Sequence, residues 1–166
     1  MSKEKMKKLY IVGEINYEAY QKFSESLTEL EDKGFKYIAI ELVSDGGDAM
    51  AALAFSSRIR NTNCDITIIA LGNVASAATL ILASGDFRMM SKDAWVMVHE
   101  DSGEVSGTVS EMEREVKHLR ALEYQWNDLL FKLTNTEARV WQDYNKRTTY
   151  LNAEECLKLG LVDKLI

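Results

Sequence analysis

The stretch YIAIELVSDGGDAMAALAFSSRIRNTNCDITIIAL, residues 37–71, determines the fold class. Its two nearly continuous apolar runs, YIAIELV and ITIIAL, are typical of strands covered on both faces by helices. The segment GDAMAALAFSSRIRN between them predicts a helix, and an earlier strand at residues 9–15 precedes a helix that begins at Asn16 and ends near Gly34. This alternation predicts an α/β fold with repeated strand-helix units around a mostly parallel sheet.

The second half of the chain predicts a different arrangement. FRMM (87–90) and AWVMVH (94–99) are short strand candidates, which we expect to form a hairpin through the intervening SKDA. A long charged helix is predicted over residues 108–132, and its apolar positions occupy more than one stripe. That pattern favours contact with a second chain, and a solvated surface helix is the alternative. Two shorter helices are predicted over 136–147 and 153–159.

Composition restricts the class of protein. The 166 residues are 46% hydrophobic and 28% charged, which is the balance of one globular domain spanning 1–166. No apolar run approaches the roughly 20 residues that cross a bilayer, and no signal peptide is recognisable, so we expect a cytoplasmic protein. A net charge of −6 without a basic tract argues against nucleic-acid binding. Cys64 and Cys156 lie far apart and are expected to be reduced structural thiols.

Three chemically capable features follow predicted strands, where ligands gather in open parallel sheets. The glycines of SDGGD (44–48) permit a sharp turn whose N–H groups can bind an oxyanion, although a plain turn is equally compatible. Ser76 follows the strand ITIIAL, and on its own it reads more readily as a small packing residue. His99 ends AWVMVH and can accept a proton from a serine, whereas His118 reads as a solvated helix residue.

Four motifs connect these features to a known family. SDGGDAM, GNVASAATLILASG, WVMVHED and YLNAEECLKLGLVDKL occur in the order and approximate spacing of the Clp proteolytic-subunit serine peptidases, some of which are phage-encoded. The chain resembles this family over residues 9–166. The resemblance implies a ClpP/crotonase-like fold with Ser76 as nucleophile, His99 as general base, and the amides of Gly47 and Ala77 as the oxyanion hole. It implies no metal and no nucleotide cofactor in this chain.

The resemblance is imperfect at the third catalytic position. Family members usually carry an aspartate there, and the spacing of the C-terminal motif assigns Thr148 to that position. Asp143 is the nearest upstream acid, while Asn145 and Asn152 are neutral alternatives. We therefore expect a Ser–His dyad or a triad with a neutral third member, and reduced activity, because loss of the aspartate costs about 10⁴ in kcat in tightly coupled triads.

The resemblance also implies partners. It predicts a serine endopeptidase that forms a homo-oligomer of stacked rings, meeting through the helix at 108–132 as a handle, and that acts on peptides or unfolded proteins. The sequence enters its first strand almost at once, without the segment that engages an ATPase unfoldase in the family, which argues against such docking. Two alternatives remain open: a catalytically weak or silent subunit with an assembly or regulatory role, and a crotonase-like acyl-thioester enzyme.

Overall fold

Strands and helices alternate through most of the chain. The structure, a computed structural model, describes residues 6–100, 102 and 104–166. The elements are β1 (Lys7–Val12), α1 (Tyr17–Asp32), β2 (Tyr37–Ser44), α2 (Ala49–Arg60), β3 (Asp65–Ala75), α3 (Ala77–Ala83), β4 (Phe87–Met90), β5 (Trp95–Val98), α4 (Val109–Thr134), α5 (Ala138–Asn145), β6 (Thr149–Asn152), α6 (Ala153–Lys158) and β7 (Lys164–Leu165).

The sheet is mostly parallel. Strands β1, β2, β3, β4 and β7 are adjacent in that order and all pair in parallel. Strand β5 pairs in parallel with β3 and antiparallel with β6. The α/β class with a mostly parallel sheet is confirmed, and the strands β6 and β7 are additions that the sequence pattern did not predict.

The predicted hairpin between β4 and β5 is wrong. Both strands pair in parallel with β3, β4 along Thr67–Ala70 and β5 along Asn73–Ala75. The intervening turn is held by the N–H of Ser91, which donates to the carbonyl of Ala70 at 3.0 Å. Because β3 is 11 residues long, its edge offers a separate segment to each short strand. Strands β4 and β5 therefore run in the same direction, although the short segment between them suggested an antiparallel hairpin.

Capping side chains set the helix limits. The Asn16 side chain accepts a hydrogen bond from the N–H of Ala19 at 2.9 Å, and Gly34 follows α1 with a φ of +78°, so both predicted limits are confirmed.

Helix α3 is buried along its whole length. Cys64 and Cys156 are buried and form no disulfide, and burial raises the pKa of the Cys156 thiol to about 12. Both cysteines therefore serve as packing residues.

Helix α4 extends two residues beyond its predicted C-terminal limit. It begins after Thr108, whose side chain forms a reciprocal capping box with Glu111, and its buried residues lie in its last third: Asn127, Leu130 and Thr134. Three apolar side chains earlier in the helix are exposed to solvent: Val109, Val116 and Tyr124. Among the helices of the described residues, none combines the length and apolarity needed to span a membrane.

Candidate active site

Ser76 occupies a sharp turn between β3 and α3. Strand β3 extends to Ala75, four residues beyond the predicted strand end at residue 71, so Ser76 follows the strand directly. Its φ of 53° and ψ of −123° lie in a region that favours glycine. The N–H of Ser76 donates to the carbonyl of Met97 at 2.7 Å, and the N–H of Thr79 donates to the carbonyl of Ser76 at 3.0 Å. These bonds hold the turn and present the hydroxyl at the end of the strand.

Sheet register brings His99 to this hydroxyl. Ala75 pairs with Met97 across the parallel strands β3 and β5, so the two strands end at the same edge of the sheet. His99 Nε2 lies 2.7 Å from Ser76 Oγ. For the hydroxyl to donate in this pair, the neutral imidazole must carry its proton on Nδ1. The contact then has the geometry in which a histidine accepts a serine proton.

The glycine turn after β2 packs closely against Ser76. Gly46 and Gly47 have φ values of +100° and +146°. A Cβ on Gly46 would lie 2.7 Å from Ser76 Cβ and 3.1 Å from the amide nitrogen of Ala77, and one on Gly47 would lie 2.3 Å from the carbonyl oxygen of Ile15. Only glycine therefore fits at either position, and the absence of side chains lets this backbone approach the turn that carries Ser76.

These groups share one cavity. The residues that line it include the four predicted site residues, an apolar wall and two acids: Gly47, Ser76, Ala77, His99, Met50, Leu53, Leu122, Trp126, Glu100 and Glu123. Within the part of the chain that the structure describes, no group of three or more His, Cys, Asp or Glu residues is placed to hold a metal ion. The arrangement can supply a hydroxyl nucleophile, a proton acceptor and backbone N–H donors beside an apolar surface.

The sequence was compared with those of known proteins. A family model described as Clp protease matches residues 3–166. The chain belongs to the Clp protease family. The ATP-dependent Clp protease proteolytic subunit 2 of Treponema denticola is 31% identical over 162 residues, covering 96% of this chain and 81% of that protein. The protein of the same name from Chlamydia trachomatis is 29% identical over 133 residues, covering 79% and 66%. The predicted family membership is confirmed.

In this member of the Clp protease family, the four candidates for the third catalytic position lie in different surroundings. Thr148 and Asp143 are both exposed, and neither lines the cavity. Asn145, the last residue of α5, is buried and does line it. Asn152 caps α6 by accepting a hydrogen bond from the N–H of Glu155 at 3.0 Å. Of these four candidates, Asn145 is the one that lines the cavity.

The apolar wall of the cavity, and the contribution of α4 to it, were not predicted from the sequence. The wall comes from two helices: Met50 and Leu53 from α2, and Leu122 and Trp126 from α4. Each pair has the three- or four-residue spacing that places side chains on one helix face. That spacing was visible in the sequence, but which face of α4 meets the cavity depends on the packing of α4 against α3 and α5.

Proposed function

We propose that this chain is a serine endopeptidase in which Ser76 is the nucleophile and His99 the general base. The observation that carries the proposal is the 2.7 Å contact between Ser76 Oγ and His99 Nε2 at the carboxyl ends of two adjacent parallel strands. Membership of the Clp protease family supports the same chemistry, because the relatives are named as proteolytic subunits.

The reaction follows from these positions. Ser76 Oγ attacks the carbonyl carbon of a peptide bond while its proton moves to His99 Nε2. The amides of Gly47 and Ala77 donate hydrogen bonds to the resulting oxyanion. Collapse of this intermediate breaks the C–N bond, and His99 gives its proton to the leaving amine. Water then attacks the acyl-enzyme carbonyl while His99 accepts a proton from that water. The ester C–O bond breaks, His99 gives this proton to Ser76 Oγ, and the carboxylic acid product is released.

The cavity also supports a choice of substrate. Its wall of Met50, Leu53, Leu122 and Trp126 is apolar and lies beside the reacting hydroxyl. Burial of an apolar side chain there stabilises a bound peptide by about 25 cal/mol per Å² of surface removed from water. We therefore propose unfolded protein or peptide substrates with an apolar residue next to the scissile bond.

We further propose that the chain acts as a homo-oligomer of stacked rings, with α4 in the contact between rings. The relatives' names describe them as subunits, and α4 carries exposed apolar side chains at Val109, Val116 and Tyr124. Exposed apolar surface of this kind, interleaved with charge, is typical of an interface between protein chains. Peptide hydrolysis by Ser76 and His99 uses no nucleotide, so an ATPase partner is not part of this proposal.

A second candidate function is favoured by one observation. Asn145, the candidate for the third position that is buried and lines the cavity, carries no charge to stabilise an imidazolium. A subunit with weak activity and a mainly structural role in a mixed assembly would tolerate such a residue.

The test is hydrolysis of short unstructured peptides that differ only at one apolar position, with the products identified by mass spectrometry. We expect cleavage after the apolar residue, none with Ser76→Ala, and a native mass of a multimer for both proteins. A multimer without cleavage at any concentration would favour the silent subunit. A monomer would contradict the ring proposal, and thioester hydrolysis without peptide cleavage would contradict the peptidase proposal.

A further inference from the structure

Two buried asparagines connect the cavity to the handle helix. Asn145 Nδ2 donates to Asn127 Oδ1 at 2.9 Å, and Asn127 Nδ2 donates to the carbonyl oxygen of Glu123 at 2.9 Å. Asn127 and Asn145 are only 1% and 6% exposed. Each is therefore held where an unmade hydrogen bond would cost about 1–3 kcal/mol.

The direction of this chain of hydrogen bonds is fixed by its first acceptor. A backbone carbonyl can only accept, so the atom of Asn127 that faces Glu123 must be its amide nitrogen. Asn127 Oδ1 then faces Asn145, and an oxygen can be satisfied there only by a donor. The side chain of Asn145 must consequently turn its own Nδ2 towards Asn127.

With Nδ2 donating to Asn127, Oδ1 is the remaining hydrogen-bonding atom of the Asn145 side chain, and it can only accept. Asn145 and His99 line the same cavity, and no direct hydrogen bond joins these two described residues. Catalytic hydrogen bonds are often long before substrate binds and shorten in the complex. The only hydrogen bond that an amide oxygen can make to a neutral imidazole is with its N–H group.

This direction decides which nitrogen of the neutral His99 imidazole carries the proton. If Asn145 Oδ1 accepts from His99 Nδ1–H, then Nε2 is unprotonated and can take the proton of Ser76. If the amide were reversed, its N–H would favour an unprotonated Nδ1 and leave the proton on Nε2. In a tightly coupled triad, the wrong tautomer lowers kcat by about 10⁴.

We propose that Asn145 is the positioning residue for His99, and that Asn127 fixes the amide of Asn145 so that a neutral side chain selects the productive imidazole tautomer. This proposal rests on the proposed function of Ser76 and His99. It differs from a dyad, because it gives the third position a defined task that does not require charge.

The test is ¹⁵N NMR of the histidine side chains at a pH where the imidazoles are neutral, with exposed His118 as internal reference. We expect His99 to be protonated on Nδ1 in the parent protein. Asn127→Leu removes both hydrogen bonds of residue 127, so the two orientations of the Asn145 amide become similar in energy. The NMR signals should then report a mixture of His99 tautomers, and kcat should fall at least about twofold with KM unchanged.

Asn127→Asp is the matched control, because a carboxyl group still accepts from Asn145 Nδ2. Like leucine it loses the bond to the Glu123 carbonyl, and it adds a buried charge beside that acceptor oxygen, yet it should retain the parent tautomer and more of the parent kcat than Asn127→Leu. A purely structural role for Asn127 predicts the opposite order. An Nε2-protonated His99 in the parent, or an unchanged tautomer in Asn127→Leu, would overturn the proposal.

A second test compares the effect of Asn127→Leu in the parent protein with its effect in the Asn145→Asp variant. Both oxygens of an aspartate accept, so orientation no longer matters and Asn127→Leu should not alter kcat in that background. An equal loss in both backgrounds would overturn the proposal. The NMR readout needs no turnover, so failure of the peptidase assay with a normal tautomer response would contradict the proposed function alone.

Discussion

The strained turn at Ser76 predicts an unusual order of stability among its variants. With φ at 53° and ψ at −123°, Ser76 adopts a backbone conformation that costs a residue with a Cβ about 1–3 kcal/mol. Glycine adopts it without that cost but loses about 0.5–1 kcal/mol through greater freedom in the unfolded chain. The free energy of unfolding of Ser76→Gly should therefore exceed that of Ser76→Ala by about 1 kcal/mol.

Both variants lack the hydroxyl, so the contact with His99 is lost equally and the difference isolates the backbone. The measurement is thermal or denaturant unfolding at equal protomer concentration, since association shifts apparent stability. For a chain of this length, a difference of 1 kcal/mol corresponds to about 2–4 °C in Tm. Both variants should be inactive.

Ser57 supplies the matched control, because it is exposed within α2. At this helical position the order should reverse, and Ser57→Gly should be less stable than Ser57→Ala by about 0.5–1 kcal/mol. The reasoning would be refuted if Ser76→Gly were as unstable, relative to alanine, as the glycine variant at Ser57.

Three other perturbations have expected results. Gly47→Ala places a methyl group against the Ile15 carbonyl at a φ of +146°, so it should lower the free energy of unfolding by about 2–4 kcal/mol and abolish peptide cleavage; denaturant unfolding that matches the parent would contradict this. Partial burial raises the pKa of Asp163, but hydrogen bonds from Arg88 outweigh it and lower the pKa below its usual range. The folded protein should therefore lose stability as the pH falls from about 4 through that lowered pKa. Unfolding measured as a function of pH should show that Asp163→Asn removes this loss. The same loss of stability at low pH in Asp163→Asn would refute the assignment. Tyr124→Glu, at a side chain that is 66% exposed, should leave folding intact by circular dichroism and shift the native mass towards single rings; an unaltered native mass would argue against α4 as the contact between rings.

The first half of the fold was predictable because its signals are local. Apolar runs such as YIAIELV, the cap at Asn16 and the glycine turn at Gly46 each determine their own segment. Strands β4 and β5 were placed correctly in the sequence, but their pairing depends on the length of β3, which no local pattern reveals. The short strand β6 is defined mainly by its antiparallel pairing with β5, so its existence was also invisible to periodicity.

The candidate site shows the same division. Ser76 and His99 could be singled out because each follows a predicted strand, and sheet register then brings them together. That Asn145, among the four candidates for the third position, is the one that lines the cavity could not be predicted, because it depends on how α5 packs against α4. Asn127 gave no signal at all, since a single asparagine in a charged helix is ordinary until its partner on α5 is known.

Covalent labelling of Ser76 tests the central claim most directly. A fluorophosphonate reacts with a serine only when a neighbouring base activates the hydroxyl, and peptide mapping identifies the modified residue. We predict labelling of the native protein at Ser76, with little labelling in His99→Ala and parent-like labelling in His118→Ala. Labelling at another serine, or equal labelling of Ser76 with and without His99, would contradict the assignment of these two residues as nucleophile and base.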